Sequence, residues 1–275
     1  MTTVRFGPFR LAIDAARLEG SDAHLDASAG DPCHAGAADF TLSVVPDATC
    51  ADPQGSFPTD PSRLARPAHD AAGRRFSIGV HPRFFRGPVA AVWQALLYRI
   101  FATMCRARGI SAGLAHGAAV RRGAHTVLLL GRSGIGKTTA ARTAGGAILH
   151  DDQLILALHD GALFVDAPPF PSAVRTAVSG PARVALVCVI ARGGPPALRP
   201  LGQAAGLAAL LRAVVPPFPI DDRASAPEHG EAARFCLAVR AAAPPHELVT
   251  DLGGACWSLV DRQLPSRVPT DPWTA

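Results

Sequence analysis

Gly131-Arg132-Ser133-Gly134-Ile135-Gly136-Lys137-Thr138 satisfies G-x-x-x-x-G-K-[ST] at every position. Its flanks decide how it reads. Residues 126–130 (TVLLL) form a short apolar run rich in strand formers that enters the glycines directly, and 137–144 continue as a helical pattern. Strand, glycine loop and helix are the context this motif requires. Lys137 is also the only lysine among 27 basic residues, so arginine takes the other 26. A planar guanidinium substitutes readily for a solvating ammonium on a surface, but not inside a cradle closed by backbone N–H groups.

Such a loop turns successive backbone N–H groups toward phosphates, with the positive end of the following helix behind them. The expected nucleotide contacts are Gly131, Arg132, Ser133, Gly134, Ile135, Gly136, Lys137, Thr138 and Thr139. Lys137 would reach the β- and γ-phosphates and the Thr138 hydroxyl would ligate Mg²⁺. ATP and Mg²⁺ are therefore the expected cofactors, with pyrophosphate an alternative donor that the loop alone does not exclude.

Outward from the loop, 115–120 is a second apolar run, joined to 126–130 through the turn Arg121-Arg122-Gly123. After the helix, 147–149 leads to Asp151-Asp152 at a strand mouth, then to a strand over 154–158. His159-Asp160-Gly161 reads as a hairpin turn with a return strand over 162–165. Adjacent carboxylates near a nucleotide can divide labour, one holding the metal and the other accepting a proton from an attacking hydroxyl. Asp221-Asp222 reads as a solvated turn doublet by contrast. His116, beside small residues, is a further titratable group on the approach to the loop.

The remaining chain divides by texture. Strands are expected over 4–13, 39–45 and 74–80, separated by Ser/Asp/Ala/Pro-rich loops, the longest over 46–73. Residues 88–108 predict a helix that is apolar nearly all round, with Gln94, Arg99, Thr103 and Arg106 as one polar ridge and Gly109 as its stop. That helix reads as core, with a homo-oligomer interface as the alternative. Residues 184–190 (VALVCVI) predict a central strand, 203–215 and 228–240 helices, and 255–260 a closing strand. The organisation expected is a β-rich N-terminal region over 1–86 and an ATP-binding core over 87–275.

Apolar residues make up 48% and charged residues 18%, a globular balance. The net charge is +5, but the arginines are scattered and Tyr98 is the only tyrosine, so no nucleic-acid module accompanies the charge. Cys33, Cys50, Cys105, Cys188, Cys236 and Cys256 lie far apart without a C-x-x-C pair. With no secretory signal and no long apolar stretch, a reducing cytoplasmic compartment and no membrane partner are expected.

His116-Gly117, a hairpin, the loop, a helix and Asp151-Asp152, taken in order, resemble the catalytic core of HPr kinase/phosphorylase and of HPr-kinase-related proteins. That family shares its fold with ATP-dependent phosphoenolpyruvate carboxykinase. The specific match covers about 113–160, with looser likeness through Ala167-Pro168-Pro169-Phe170-Pro171, 184–190 and 197–201. The resemblance implies an α/β fold: a P-loop-containing, phosphoenolpyruvate carboxykinase/HPr kinase-like core with a mixed sheet and flanking helices. It also implies an ATP- and Mg²⁺-dependent transfer of phosphate to a hydroxyl, serine foremost, of a protein or peptide. In the roles it carries over, Asp151 is the proton acceptor, His116 its neighbour, and Asp152 the metal-side carboxylate with Thr138. Arg132 or Arg175 could neutralise developing charge, although either also reads as a surface arginine. Thr138-Thr139 stands where HPr kinase proper has Ser then Glu, and no glycine-rich acidic second signature follows. Those departures imply a related kinase with another acceptor. The alternatives are a P-loop ATPase and a non-catalytic nucleotide-binding regulatory module.

Overall fold

The computed structural model describes residues 2–7, 9–15, 37–53, 65–86, 89–168, 181–215, 229–251 and 253–265. Cys33, Arg175, Asp221-Asp222 and Pro169 to Pro171 lie outside them. It is a mixed α/β structure, and contacts divide the chain after Gly109 into two compact units.

The first unit holds β1 (Thr2–Phe6), β2 (Phe9–Asp14), β3 (Phe40–Pro46), β4 (Ala65–His69) and β5 (Arg75–Val80), in sheet order β1-β2-β3-β5-β4. The single strand expected over 4–13 is two strands, because Gly7 takes a left-handed φ of 61° and folds β1 back antiparallel on β2. Along β3 the side chains alternate, with Phe40, Leu42 and Val44 buried. The 18-residue helix α1 (Ala90–Ala107) belongs to this unit. Its Phe101 ring lies 6.1 Å from Phe9, and the Arg108 guanidinium after it sits over Phe40 at 5.3 Å. The unit therefore ends at Gly109 rather than at residue 86, since an apolar helix goes with the surface that buries it. Gly109, φ 63°, stops the helix and donates its N–H to the Arg106 carbonyl at 3.2 Å. Of the expected polar ridge, Thr103 is buried and bonds back to the Arg99 carbonyl at 2.9 Å.

The second unit holds β6 (Ser111–Arg122), β7 (His125–Leu130), α2 (Lys137–Arg142), β8 (Ala147–His159), β9 (Ala162–Asp166), β10 (Ala182–Ala191), β11 (Ala197–Pro200), α3 (Gln203–Ala213), β12 (Val214–Val215), α4 (His229–Ala242), β13 (Pro245–Val249) and α5 (Trp257–Gln263). Its sheet runs β11-β13-β10-β7-β6-β8-β9, with β10 parallel to both β7 and β13. The sheet curls, because β9 pairs with β10 as well as with β8. Alternation along β6 and β7 sorts the core into two layers. Ala115, Ala119, Leu128 and Leu130 face α3 and α4, which contribute Leu210, Ala213, Phe235 and Val239. Ala118, Val120, Val127 and Leu129 face α2 and α5, which contribute Ala140, Ala141, Trp257 and Val260.

The β8–β9 hairpin forms as expected, with Asp160 and Gly161 both at positive φ (48° and 71°), the geometry of a two-residue hairpin loop. Two expectations fail. The strand near 255–260 is helix α5, whose buried Trp257 and Val260 stand three apart on one face. The closing strand is β13, which starts at Pro245 and pairs with both β10 and β11. Asp151-Asp152 also departs from expectation, since the doublet lies inside the continuous 13-residue strand β8 rather than at a strand mouth. Among the described residues no helix is long and apolar enough to cross a membrane.

Candidate active site

The site is assembled across three adjacent strands. Gly117 in β6 lies opposite Leu130, the last residue of β7, and opposite Asp152 in β8. That row brings the glycine loop, His116 and the carboxylates to one edge of the second unit. Gly117 is needed for the approach: a Cβ there would stand 2.7 Å from the Leu129 carbonyl oxygen and 3.1 Å from the Leu130 and Leu154 side chains.

The loop leaves β7 at Gly131 and enters α2 at Lys137. Gly134 (φ 74°) and Gly136 (φ 103°) adopt backbone conformations that an L side chain resists, so these glycines set the path of the loop. Lys137 is buried to 6% exposure, and its Nζ donates to the carbonyls of Gly131 at 2.9 Å and Arg132 at 3.0 Å. Burial holds its pKa below the ordinary lysine value, partly offset by the negative charge of Asp152. The only ammonium of the chain is thus folded into the loop that precedes it. Arg132, Ser133, Gly134 and Thr139 are exposed, and Gly131, Ile135, Gly136 and Thr138 half-buried.

The two aspartates part company. Asp151 is 4% exposed and accepts a hydrogen bond from the Thr138 hydroxyl at 3.2 Å. The Asp152 side chain is 69% exposed, and its Oδ1 lies 3.0 Å from His116 Nδ1. These contacts exchange the partners that the family resemblance implies, Asp151 with His116 and Asp152 with Thr138. The local backbone accounts for the exchange. Opposite Ala119 and Val120, β8 carries one extra residue, a bulge at Leu149. Beyond it, strict alternation would send Asp151 toward α2 and Asp152 toward α3 and α4. Asp152 instead has a φ of 86°, a strained value for a residue with a Cβ, and its carboxylate meets His116 and the field of Lys137. Strain of this kind, of order 1–3 kcal/mol, persists where the surrounding structure enforces it, and it clusters at functional sites.

A second set of residues fixes α2 behind the loop. Arg122 donates to the Ala144 carbonyl and pairs with both carboxylate oxygens of Asp261, with Nε to Oδ1 at 3.0 Å. The same guanidinium lies 5.6 Å from the centre of the Trp257 ring. The Trp257 indole donates to the Ala140 carbonyl at 3.1 Å. A β6 arginine and a residue from α5 thereby grip the carbonyl end of the loop helix. Arg122 had read as part of a turn, and no local pattern joins it to a tryptophan so far along the chain.

The oxygen donors around Thr138 suit a hard divalent cation. Mg²⁺ binds with one or two carboxylates plus substrate phosphates rather than in an all-protein cage. No group of three or more His, Cys, Asp or Glu stands together among the described residues. Chemically, the edge offers a glycine loop carrying one buried ammonium beside an accessible carboxylate 3.0 Å from a histidine.

No family model matches the chain, and neither does any curated protein. The solved structure of the Hpr(Ser) kinase/phosphatase from Coxiella burnetii is similar over 54% of this chain and 94% of that one, at 13% identity and a TM-score of 0.33. A likeness that loose carries no argument about fold or activity.

Proposed function

We propose that the second unit is an ATP- and Mg²⁺-dependent kinase that transfers the γ-phosphate to a hydroxyl of a protein or peptide, serine foremost, in the manner of HPr-kinase-related proteins. One observation carries this reading beyond nucleotide binding. Beside the loop that would hold the triphosphate stands Asp152, strained, 69% exposed at its side chain and 3.0 Å from His116. Asp151, at 4% exposure, is too enclosed to meet a macromolecular acceptor.

In this mechanism the loop amides and Lys137 hold the β- and γ-phosphates, and Lys137 exchanges its two carbonyl partners for phosphate oxygens. Thr138 and Asp151 would hold the cation, which when bound neutralises charge on the phosphates. Asp152 takes the proton from the acceptor hydroxyl while His116 keeps one carboxylate oxygen in place. The hydroxyl oxygen forms its bond to the γ-phosphorus, the bond from that phosphorus to the β,γ-bridging oxygen breaks, and ADP leaves with the electron pair. Positive charge from Lys137 balances the negative charge that gathers on the bridge.

The test incubates the protein with γ-labelled ATP and a pool of small proteins and peptides. Label on an acceptor is expected. Asp152→Asn should spare ATP binding and lower transfer by about 10²–10⁴-fold, the usual contribution of a positioned base. Asp151→Asn should instead raise the Mg²⁺ concentration needed for activity. Release of free phosphate with no labelled acceptor would make the protein an ATPase, and undiminished transfer by Asp152→Asn would remove that residue from the mechanism.

A further inference from the structure

At the end of β7 away from the glycine loop the second unit contains a cavity of about 350 Å³. Its walls come from the ends of four strands: Arg121 of β6, His125 and Thr126 of β7, Leu163 of β9, and Arg183 and Val184 of β10. The curl of the sheet creates it, because β9 reaches across to pair Phe164 with Arg183 and Val165 with Ala182. Five residue steps of β7 separate it from the loop, roughly 17 Å at the rise of an extended strand.

The lining is unbalanced in charge. Arg121, His125 and Arg183 are among its lining residues, and no carboxylate lines it among the described residues. The Arg121 Nε is screened from solvent and has no hydrogen-bond partner among the described residues. Buried polar groups are nearly always satisfied, and a guanidinium carries the largest penalty when it is not. Two cations lining one cavity also repel each other unless an anion joins them. Leu163 and Val184, also in the lining, are apolar and buried. The volume falls at the small end of the range for small-molecule sites.

From this we infer that the cavity is a binding site for a small organic anion, with a carboxylate or phosphate-ester head between Arg121 and Arg183 and a short apolar body against Leu163 and Val184. The site is separate from the glycine loop and does not depend on the kinase reading. Guanidinium forks match either head group in bidentate fashion, so the head is decided by experiment.

The probes are phenyl phosphate, 3-phenylpropanoate, inorganic phosphate and the uncharged benzyl alcohol, titrated calorimetrically into the full chain. One or both aromatic anions should bind saturably and more tightly than inorganic phosphate, and benzyl alcohol should not bind. The better aromatic anion names the head group. Arg183→Gln, at an exposed position, and Arg121→Gln should each weaken that binding by about tenfold or more, the effect of losing one charge-assisted contact. Circular dichroism checks that both variants fold, and Arg183→Gln keeps the test decisive if Arg121→Gln does not. Binding undiminished in Arg183→Gln, equal binding of benzyl alcohol, or no saturable binding of either aromatic anion would each overturn the assignment. Phosphate held only at the glycine loop would show as binding insensitive to Arg183→Gln.

Discussion

The two units solve the problem of a core in opposite ways. The first is packed with rings: Phe9, Phe40, Phe76, Phe84, Phe85, Trp93 and Phe101 are all buried, with Phe85 and Trp93 edge to face at 5.2 Å. Thr103 is its one buried polar residue among those described. The second is packed with Ala, Val and Leu, and it buries Thr126, Lys137, His150, Asp151, Asp166 and Thr250. Burying charge is costly unless it is paired and hydrogen-bonded, so a unit that does so repeatedly keeps those groups for chemistry or carries a network built around them. The Lys137 ammonium is held by two carbonyls of its own loop.

The largest break in that comparison comes from removing the ammonium. Lys137→Met should lower nucleotide-dependent activity by at least about 10²–10³-fold, the scale for losing one preorganised electrostatic contact. It should leave the folded state at least as stable near neutral pH, because the cost of burying the charge leaves with it. Nucleotide titration and thermal unfolding check the two halves. Unfolding of the variant at a much lower temperature would make Lys137 a structural residue.

Next in size is a backbone contact of the second unit. A Cβ at Gly146 would stand 1.8 Å from the Arg121 carbonyl oxygen, with no flexible side chain to give way. Gly146→Ala should cost about 3 kcal/mol, the upper end for overpacking, read as a lowered urea midpoint. A Cβ at its neighbour Gly145 would stand 3.5 Å from an Arg122 guanidinium nitrogen, and Arg122 holds the end of α2, so nucleotide affinity should fall with the stability. In the first unit, Phe101→Leu keeps most of the buried volume and should cost only about 1 kcal/mol. It should leave nucleotide affinity unchanged, which sharpens the contrast between a unit that packs and one proposed to bind nucleotide.

What local pattern could reveal did not follow that divide. The glycine loop, both hairpins of the second unit and the buried strand β10 were legible because each rests on residues adjacent in the chain. β4 was not, since Ala65-Arg66-Pro67-Ala68-His69 carries no strand period and forms only by pairing with β5. β13 was hidden by Pro245, whose missing N–H disfavours a strand interior but is tolerated here at the first residue of the strand. Trp257-Ser258-Leu259-Val260 is too short to separate strand from helix by periodicity. The site residues were readable as types, but the partners of Asp151 and Asp152 were not. A bulge at Leu149 and the positive φ of Asp152 decide those partners, and neither feature leaves a mark in composition or spacing.

The smallest expected effect is on pH dependence, and it isolates the buried charge. Burial lowers the pKa of Lys137 in the folded chain from the ordinary 10.5. Between that lowered value and 10.5 the unfolded chain holds a proton that the folded site has released, so stability should rise with pH across this window. Below the lowered value both states are protonated and the cost of burial is fully present. A lysine that gains an acidic partner would behave in the opposite sense. A bound polyphosphate is such a partner: it favours the charged form, so nucleotide affinity should weaken over the pH range in which the free protein grows more stable. Other groups titrate in the same alkaline range, and the difference between wild type and Lys137→Met removes them. Urea midpoints of the two proteins, measured at about pH 8 and about pH 10, should converge toward the higher pH as wild type recovers the cost of burying its charge. A gap that widens instead would mean that the carbonyls of Gly131 and Arg132 more than compensate the ammonium, and that the resting loop is held shut by the residue meant to open it.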